Sequence, residues 1–311
     1  MKFPGKIIGV SLTLAMMLVF SGCANKDASP VQESLRQQIA NDAAAKEKSV
    51  MGNFTVLIRN KEATAAEVVE FIDNNITTVS ADNASTMVIG LEKIQKEKLP
   101  KLQDEFAASE ASQKVLAKSP VSGVTDSFIS NVDNQAVKEL LLETKNGGFK
   151  IETAEGMYFP VIDYSLYRKY QSVVTQDMAA FIDIMAIESD KTPSKDAALV
   201  ISWADILNRA LTQERFIKEY GNSVKVADIR QLLNRYTAFA LYGANNTPLF
   251  SYDTGQMAAD AKNAYSATLF DAANGSFSQV MSGYLNILKK NDYKLTDEIQ
   301  QYRNNATKEI R

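Results

Sequence analysis

The second half of the chain carries a long run of helical periodicity, which limits its fold more than any other feature of the sequence. Apolar residues recur at spacings near three and four in two successive stripes: Leu199, Trp203, Ile206, Ala210, Ile217, Tyr220, then Val226, Ile229, Leu233, Tyr236, Ala240. Such stripes indicate helices that bury one face, and short turns between them favour antiparallel neighbours. The sequence therefore predicts a mainly α fold, built as a helical bundle or an array of helical hairpins.

Two segments predict a small β-element within this fold. In the segment FKIETAEGMYFPVIDY, apolar and polar residues alternate, AEG marks a turn, and Pro160 is typical of an edge strand. We expect a β-hairpin over about residues 149–163. The β-branched run NFTVLIRN predicts a further strand at 53–59, which could pair with the hairpin.

Capping signals place several helix ends. Thr64 and Glu67 have the spacing of a capping box, so a helix should begin after Thr64. Glycines 147–148 should end the helix that precedes the hairpin, because glycine tolerates left-handed φ. Thr192, with Pro193 at the first helical position, is predicted to cap the long helix that follows.

The first 22 residues have the pattern of a secretory signal peptide. Lys2 and Lys6 precede a 14-residue apolar run, 7–20, and the small residues Ser21 and Gly22 follow it. A transmembrane helix is the alternative. Fourteen helical residues reach only about 21 Å, against a hydrocarbon core of about 30 Å, so the length favours the signal peptide.

The residues FSGC, 20–23, resemble the lipobox of bacterial lipoproteins, although Phe20 stands where that family usually has leucine. The resemblance implies cleavage between Gly22 and Cys23, a diacylglyceryl group on the Cys23 sulfur, and often an acyl chain such as palmitate on its amine. Two or more chains give stable anchoring, whereas one holds weakly. We expect a lipid-anchored envelope protein on the extracytoplasmic side of a bacterial membrane, with membrane lipid as its first partner.

Composition divides the predicted mature chain into three parts. Residues 23–50 form the lipid anchor and a polar tether, 51–148 a mainly helical region, and 149–311 the hairpin with a C-terminal helical domain. Within the last part, the helix–turn–helix pattern of residues 210–236 resembles a tetratricopeptide-type hairpin. That resemblance implies a pair of antiparallel helices.

The composition also excludes most familiar catalytic mechanisms. The chain has no histidine and one cysteine, so Ser-His-Asp and Cys-His mechanisms, Cys/His zinc sites and an intramolecular disulfide cannot be built. Phosphate-loop, dinucleotide-binding and nucleophile-elbow motifs are missing from the sequence. The net charge of −3, which becomes −5 without residues 1–22, gives no basic field for nucleic acid. We predict no catalytic residue, metal site, cofactor or nucleic-acid partner.

Acidic residues keep two alternatives open. Asp163 beside Tyr164, or Asp183 with Glu188, could serve a histidine-free glycan hydrolase that works with two carboxylates. The acid-containing loops 189–196 and 251–256 could hold calcium through oxygen ligands, although helix capping is their expected role.

Clustered tyrosines give the remaining indication of binding. Their apolar rings and hydroxyl groups suit a surface for sugars or peptides, and the alternative is that they pack the hairpin onto the helices. The candidates for this surface are Tyr158, Tyr164, Tyr167 and Tyr252. We therefore predict a non-catalytic domain that binds an envelope protein, a peptide or a cell-wall component. The alternatives are the hydrolase and a solute-binding component of an uptake system.

Overall fold

The computed structural model describes residues 30–119 and 123–309, with side chains up to residue 306. It separates into two units, Met1–Ala45 and Lys46–Arg311. The predicted signal peptide, its predicted cleavage site and Cys23, the predicted site of lipidation, lie outside the described residues. In the part of the chain that is described, no helix combines the length and the apolar character needed to cross a bilayer.

Helix α1, Pro30–Arg59, includes the stretch for which a strand was predicted. The prediction of a strand at 53–59 is therefore wrong. The reason lies in the spacing of the buried residues: Val50 and Phe54, four positions apart, are buried, whereas Val56 in the β-branched run is exposed. A period near four suits one face of a helix, and this packing overrides the β-propensity of the run.

Two predicted helix ends before the hairpin are confirmed. The capping box is confirmed: Glu67 N–H donates to Thr64 Oγ1 at 3.2 Å, and the Thr64 N–H donates to the Glu67 carboxylate at 2.8 Å. Helix α6 ends at Asn146 and is followed by Gly148 with a φ of +75°, as predicted. The helices of this region are α2 (Ala65–Asn75), α3 (Ala81–Ala108), α4 (Glu110–Leu116), α5 (Asp126–Ser130) and α6 (Gln135–Asn146).

The predicted hairpin is confirmed as the antiparallel pair β1 (Phe149–Ala154) and β2 (Met157–Ile162). Its two-residue turn holds Glu155 at a φ of 50° and Gly156 at 77°. Positive φ at both central residues is the geometry of a type I′ turn, which matches the twist of the two strands.

Helices dominate the chain after the hairpin, interrupted by two short strand pairs. A 3₁₀ helix, Tyr164–Tyr170, leads into the rest. The further elements are α7 (Gln176–Asp190), β3 (Ser194–Lys195), β4 (Ala198–Leu199), α8 (Trp203–Glu219), α9 (Val226–Tyr242), β5 (Gly243–Ala244), β6 (Thr247–Pro248), α10 (Ala259–Ala267), α11 (Ser276–Lys290) and α12 (Asp297–Glu309). Helices α8 and α9 form the helical hairpin expected over residues 210–236.

The start of the long helix differs from the prediction. Ser202, not Thr192, caps α8, and it forms a capping box with Asp205. The Ser202 side chain accepts from the Asp205 N–H at 3.0 Å. Thr192 instead precedes the β3–β4 turn, where residues 196–197 have positive φ. Thr192 and Ser202 are both residue types that cap helices. The helix begins after Ser202, where Asp205 three residues later completes a capping box.

Two hydrophobic cores hold the second unit together. The larger one joins α2, α3 and α7–α12, and its fully buried side chains include Leu91, Ile206 and Tyr284. The smaller core lies among the C-terminal part of α3, α4–α6 and the hairpin, and consists of Phe106, Leu116, Ile129, Val132, Val137 and Leu141. The fold is mainly α with small two-stranded antiparallel sheets, as the sequence predicts.

Candidate binding groove

A groove of about 460 Å³ lies between the hairpin and the C-terminal end of α7. We call it the hairpin groove and define it by side chains from both strands, from α7 and from β3. These residues are Lys150, Glu152, Phe159, Val161, Met185, Glu188 and Lys195. The apolar surface of the lining is larger than its polar surface, as is common in binding sites.

The register of the hairpin decides which side chains reach the groove. Lys150 pairs with Val161 and Glu152 with Phe159, so these four side chains share one face of the sheet. Alternate residues lie on the opposite face, where Ile151 packs against the smaller core. Because one face is held by that core, the other face is presented to the groove.

Charged side chains border the apolar centre of the groove. Lys195 Nζ lies 3.1 Å from one carboxylate oxygen of Glu152, and Lys150 Nζ lies 3.5 Å from the other. Lys150 also donates to the backbone oxygen of Ser189 at the end of α7. These contacts link both sides of the groove and leave the Glu152 carboxylate neutralised by two lysines.

Glu188 lies at the base of the groove and also lines two smaller neighbouring cavities of about 270 and 260 Å³. Its Oε1 accepts from the Tyr236 hydroxyl at 2.5 Å and from Arg209 Nη1 at 3.2 Å. Burial raises the pKa of this carboxyl above its ordinary value, and the donated hydrogen bonds and the arginine charge offset only part of that effect.

A second buried carboxylate, Glu92, fixes the tyrosine beside the groove. Burial disfavours its charge, but Lys225, Lys96 and the Tyr164 hydroxyl together lower the pKa of Glu92. Lys96 Nζ and Tyr164 Oη each lie 2.7 Å from Glu92 Oε1, and Lys225 contacts Oε2. Burial and the Glu92 charge raise the pKa of Tyr164 far above 10, so its hydroxyl stays a donor.

The structure disperses the four tyrosines predicted to form a binding surface. Tyr164 lines the groove, whereas Tyr158 lies on the other face of the hairpin against the smaller core. Tyr167 is 1% exposed, stacks on Tyr164 and donates to Gln95, so it belongs to the core and its inclusion in the surface is corrected. Tyr252 is 78% exposed in the loop after β6 and does not line the groove.

The nominated carboxylate pair, Asp183 with Glu188, does not share one side of α7, and the separately nominated Asp163 caps a helix. Asp163 Oδ1 accepts from Ser165 N–H at 3.0 Å and caps the 3₁₀ helix beside Tyr164. Asp183 is exposed, and five residues along α7 place it about 140° around the helix axis from Glu188. Within the described part of the chain, no three acids or cysteines come together in a way that could hold a metal ion.

Sequence reasoning named Tyr164 and Glu188 but missed most of the groove. Phe159, Val161 and Met185 fit equally well into a core pattern, since they are apolar residues at strand or helix spacing. Only the alternation of β2 gave a signal, because Phe159 and Val161 share a face that Pro160 does not.

Comparison with known proteins adds no relative to these observations. No family model matches the chain, and no curated protein or solved structure is significantly similar to it.

Proposed function

We propose that this chain is a lipid-anchored protein of the bacterial envelope whose helical domain binds a partner in the hairpin groove without catalysing a reaction. The groove is the observation that carries the proposal. It combines an apolar centre of Phe159, Val161 and Met185 with a charged border, which is the arrangement of a protein or peptide binding site. Cell-wall components remain a second class of partner.

The N-terminal sequence supports the location. Acyl chains on Cys23 would hold the domain at the extracytoplasmic surface of a membrane, and two or more chains suffice for stable anchoring. The acidic mature chain has little attraction for anionic lipid. We therefore expect attachment to depend on the lipid and not on the surface of the domain.

The state of the acids around the groove supports binding over catalysis. Glu92 accepts from three donors, and Glu152 lies between two lysines. Carboxylates held in this way serve the structure, because a catalytic acid or base must be able to exchange a proton with its substrate.

A photocrosslinker in the groove tests the proposed binding. Phe159 would be replaced by p-benzoylphenylalanine in the full chain, expressed in its own bacterium, and irradiated cells analysed by mass spectrometry. We expect one dominant crosslinked protein or cell-wall fragment. The matched control carries the same group at Leu269, which is 92% exposed and outside the groove. Identical products from the two positions would contradict a binding role of the groove.

The anchor has a separate test. Cys23→Ser should leave the protein without lipid and unprocessed at residue 22. Mass spectrometry of the mature wild-type protein should show acyl chains on Cys23. An unmodified Cys23 thiol in that protein would overturn the lipid anchor.

A histidine-free glycan hydrolase is the second candidate, and Glu188 is the observation in its favour. A carboxyl whose pKa is raised by burial, at the base of a groove, is the form that a general acid takes. Incubation of the full chain with purified peptidoglycan separates the two candidates. Release of reducing ends that Glu188→Gln abolishes would favour the hydrolase, and the absence of release favours the binding protein.

A further inference from the structure

The two outer edges of the hairpin differ in whether other residues hydrogen-bond to their backbone groups. The outer edge of β2 is closed by side-chain amides. Gln113 donates to the Tyr158 backbone oxygen at 2.8 Å and accepts from the Tyr158 N–H at 2.9 Å. Gln103 donates to the oxygen of Pro160 at 3.1 Å, and Pro160 has no N–H to satisfy. No further strand can therefore pair with β2 at these residues.

The outer edge of β1 is open. Asp163 N–H donates to Gly148 O at 3.0 Å. In an antiparallel pair the hydrogen-bonded positions alternate along each strand, so Lys150 and Glu152 also direct their backbone groups toward β2. Ile151 and Thr153 occupy the non-hydrogen-bonded positions in between, so their backbone N–H and C=O groups point away from β2. Among the described residues, none donates to or accepts from these backbone groups.

The backbone groups of such an edge match those of an extended polypeptide. Its free donors and acceptors repeat every second residue, at about 6.8 Å, which is the spacing of another extended chain. Natural proteins usually close such edges with proline, charge or covering groups, as this protein does on β2. The open edge also lies beside the hairpin groove, since Thr153 and the neighbouring Glu152 both line that groove.

We propose that an extended segment of a partner protein adds to β1 as a third strand and places an apolar side chain in the hairpin groove. This inference rests on the proposed binding function and names the partner as a polypeptide. Main-chain hydrogen bonds to Ile151 and Thr153 would hold the segment, and Phe159, Val161 and Met185 would select its apolar residue. The segment therefore carries apolar residues at alternate positions.

Removal of the Thr153 backbone N–H tests the proposed strand addition. Thr153→Pro removes the N–H at the free edge but no hydrogen bond of the β1–β2 ladder, because Thr153 lies opposite Tyr158 at a non-bonded position. Thr153 is exposed, so little packing is lost. Thr153→Val is the matched control, since it keeps the N–H and removes only the hydroxyl.

The probe is a displayed library of random heptapeptides, selected on the full chain in detergent. Selected peptides should show alternating apolar residues, and their affinity should fall about tenfold or more for Thr153→Pro and stay within about twofold for Thr153→Val. Hydrogen exchange on the wild-type protein should show new protection of the Ile151 and Thr153 amides when a peptide binds. Circular dichroism checks that the proline variant is folded.

Modified peptides test the same point without changing the protein. N-methylation at alternate peptide positions should abolish binding for one set of positions and spare the other, because only one set faces β1. Failure to select any peptide, equal binding by both Thr153 variants, or unprotected amides in β1 would overturn strand addition. If p-benzoylphenylalanine at position 159 crosslinks the partner with undiminished yield in cells that carry Thr153→Pro, binding in the groove stands and strand addition alone is wrong.

Discussion

Replacement of Lys225 by methionine tests whether its buried ion pair holds the helices beneath the groove. Lys225 and Glu92 are 8% and 3% exposed at their side chains, and the lysine also lies 4.7 Å from the centre of the Phe181 ring. Loss of one partner of a buried pair costs about 3–5 kcal/mol, because the other charge stays buried. Lys96 and Tyr164 still contact Glu92, so we expect about 3 kcal/mol for Lys225→Met.

Urea unfolding at several pH values measures this effect and identifies its cause. The lowered pKa of Glu92 means that its contribution in the wild type is present above pH 4.5 and is lost as the pH falls through the folded pKa. Without Lys225, burial should raise that pKa, so the folded variant binds a proton more tightly than the unfolded chain. The stability of the variant then rises as the pH falls toward 4.5. The difference in unfolding free energy between the two proteins should therefore narrow from pH 7 to pH 4.5.

Two control variants separate the buried pair from a general effect of removing a lysine. Lys93 is 72% exposed and lies 3.8 Å from Glu97 on the same helix, so Lys93→Met should cost less than about 0.5 kcal/mol. The double variant Glu92→Leu with Lys225→Met removes both charges and should recover much of the lost stability. A loss below about 1 kcal/mol for Lys225→Met at pH 7, or a loss independent of pH, would refute the reasoning.

Four further substitutions concern two glycines, the hairpin turn and the second carboxyl. Gly148→Ala should destabilise the protein by at least about 2 kcal/mol, because its φ is +75° and a Cβ would lie 2.5 Å from a glutamine amide nitrogen. Gly52→Ala, in an open position on α1, should instead stabilise it by about 0.5–1 kcal/mol, and thermal unfolding compares the two. Glu155→Asn should raise the unfolding free energy by up to about 1 kcal/mol, because asparagine tolerates positive φ better than glutamate. Tyr236→Phe should raise the pKa of Glu188 further, since it removes a hydrogen bond that lowers this pKa, and carboxyl NMR titration would detect the shift.

Local signals account for the parts of the fold that could be predicted. Helices α8 and α9 could be predicted from the spacing of their apolar residues alone. The capping box at Thr64 could be predicted from two side chains three positions apart. The hairpin was indicated by alternation around a glycine turn. Each of these signals is contained within about 20 residues, so it can be recognised without knowing how distant parts of the chain pack.

The errors arose where a local signal depended on distant packing. The β-branched run at 53–59 favours a strand, but its helical form lets Phe54 contact Gly90 on α3, 36 residues later. The groove required still longer contacts. Tyr164 reaches Glu92 across 72 residues, and Lys225 reaches the same carboxylate across 133. Contacts over such distances leave no periodicity or spacing in the sequence. Tyr164 could therefore be named as a candidate, but its position beside the groove could not be predicted.

The position of these long-range contacts explains how a mainly helical protein can present a small hairpin as a binding element. Glu92 links α3 to Lys225, just before α9, and to Tyr164. Glu188 links α7 to Arg209 on α8 and to Tyr236 on α9. Both networks end at the floor of the hairpin groove, and polar networks that are fully satisfied fix geometry more than they add stability. A floor held in this way does not have to be ordered when a partner binds. Less of the binding free energy is then lost to conformational entropy, and a short strand with few free backbone groups can be enough to hold the partner.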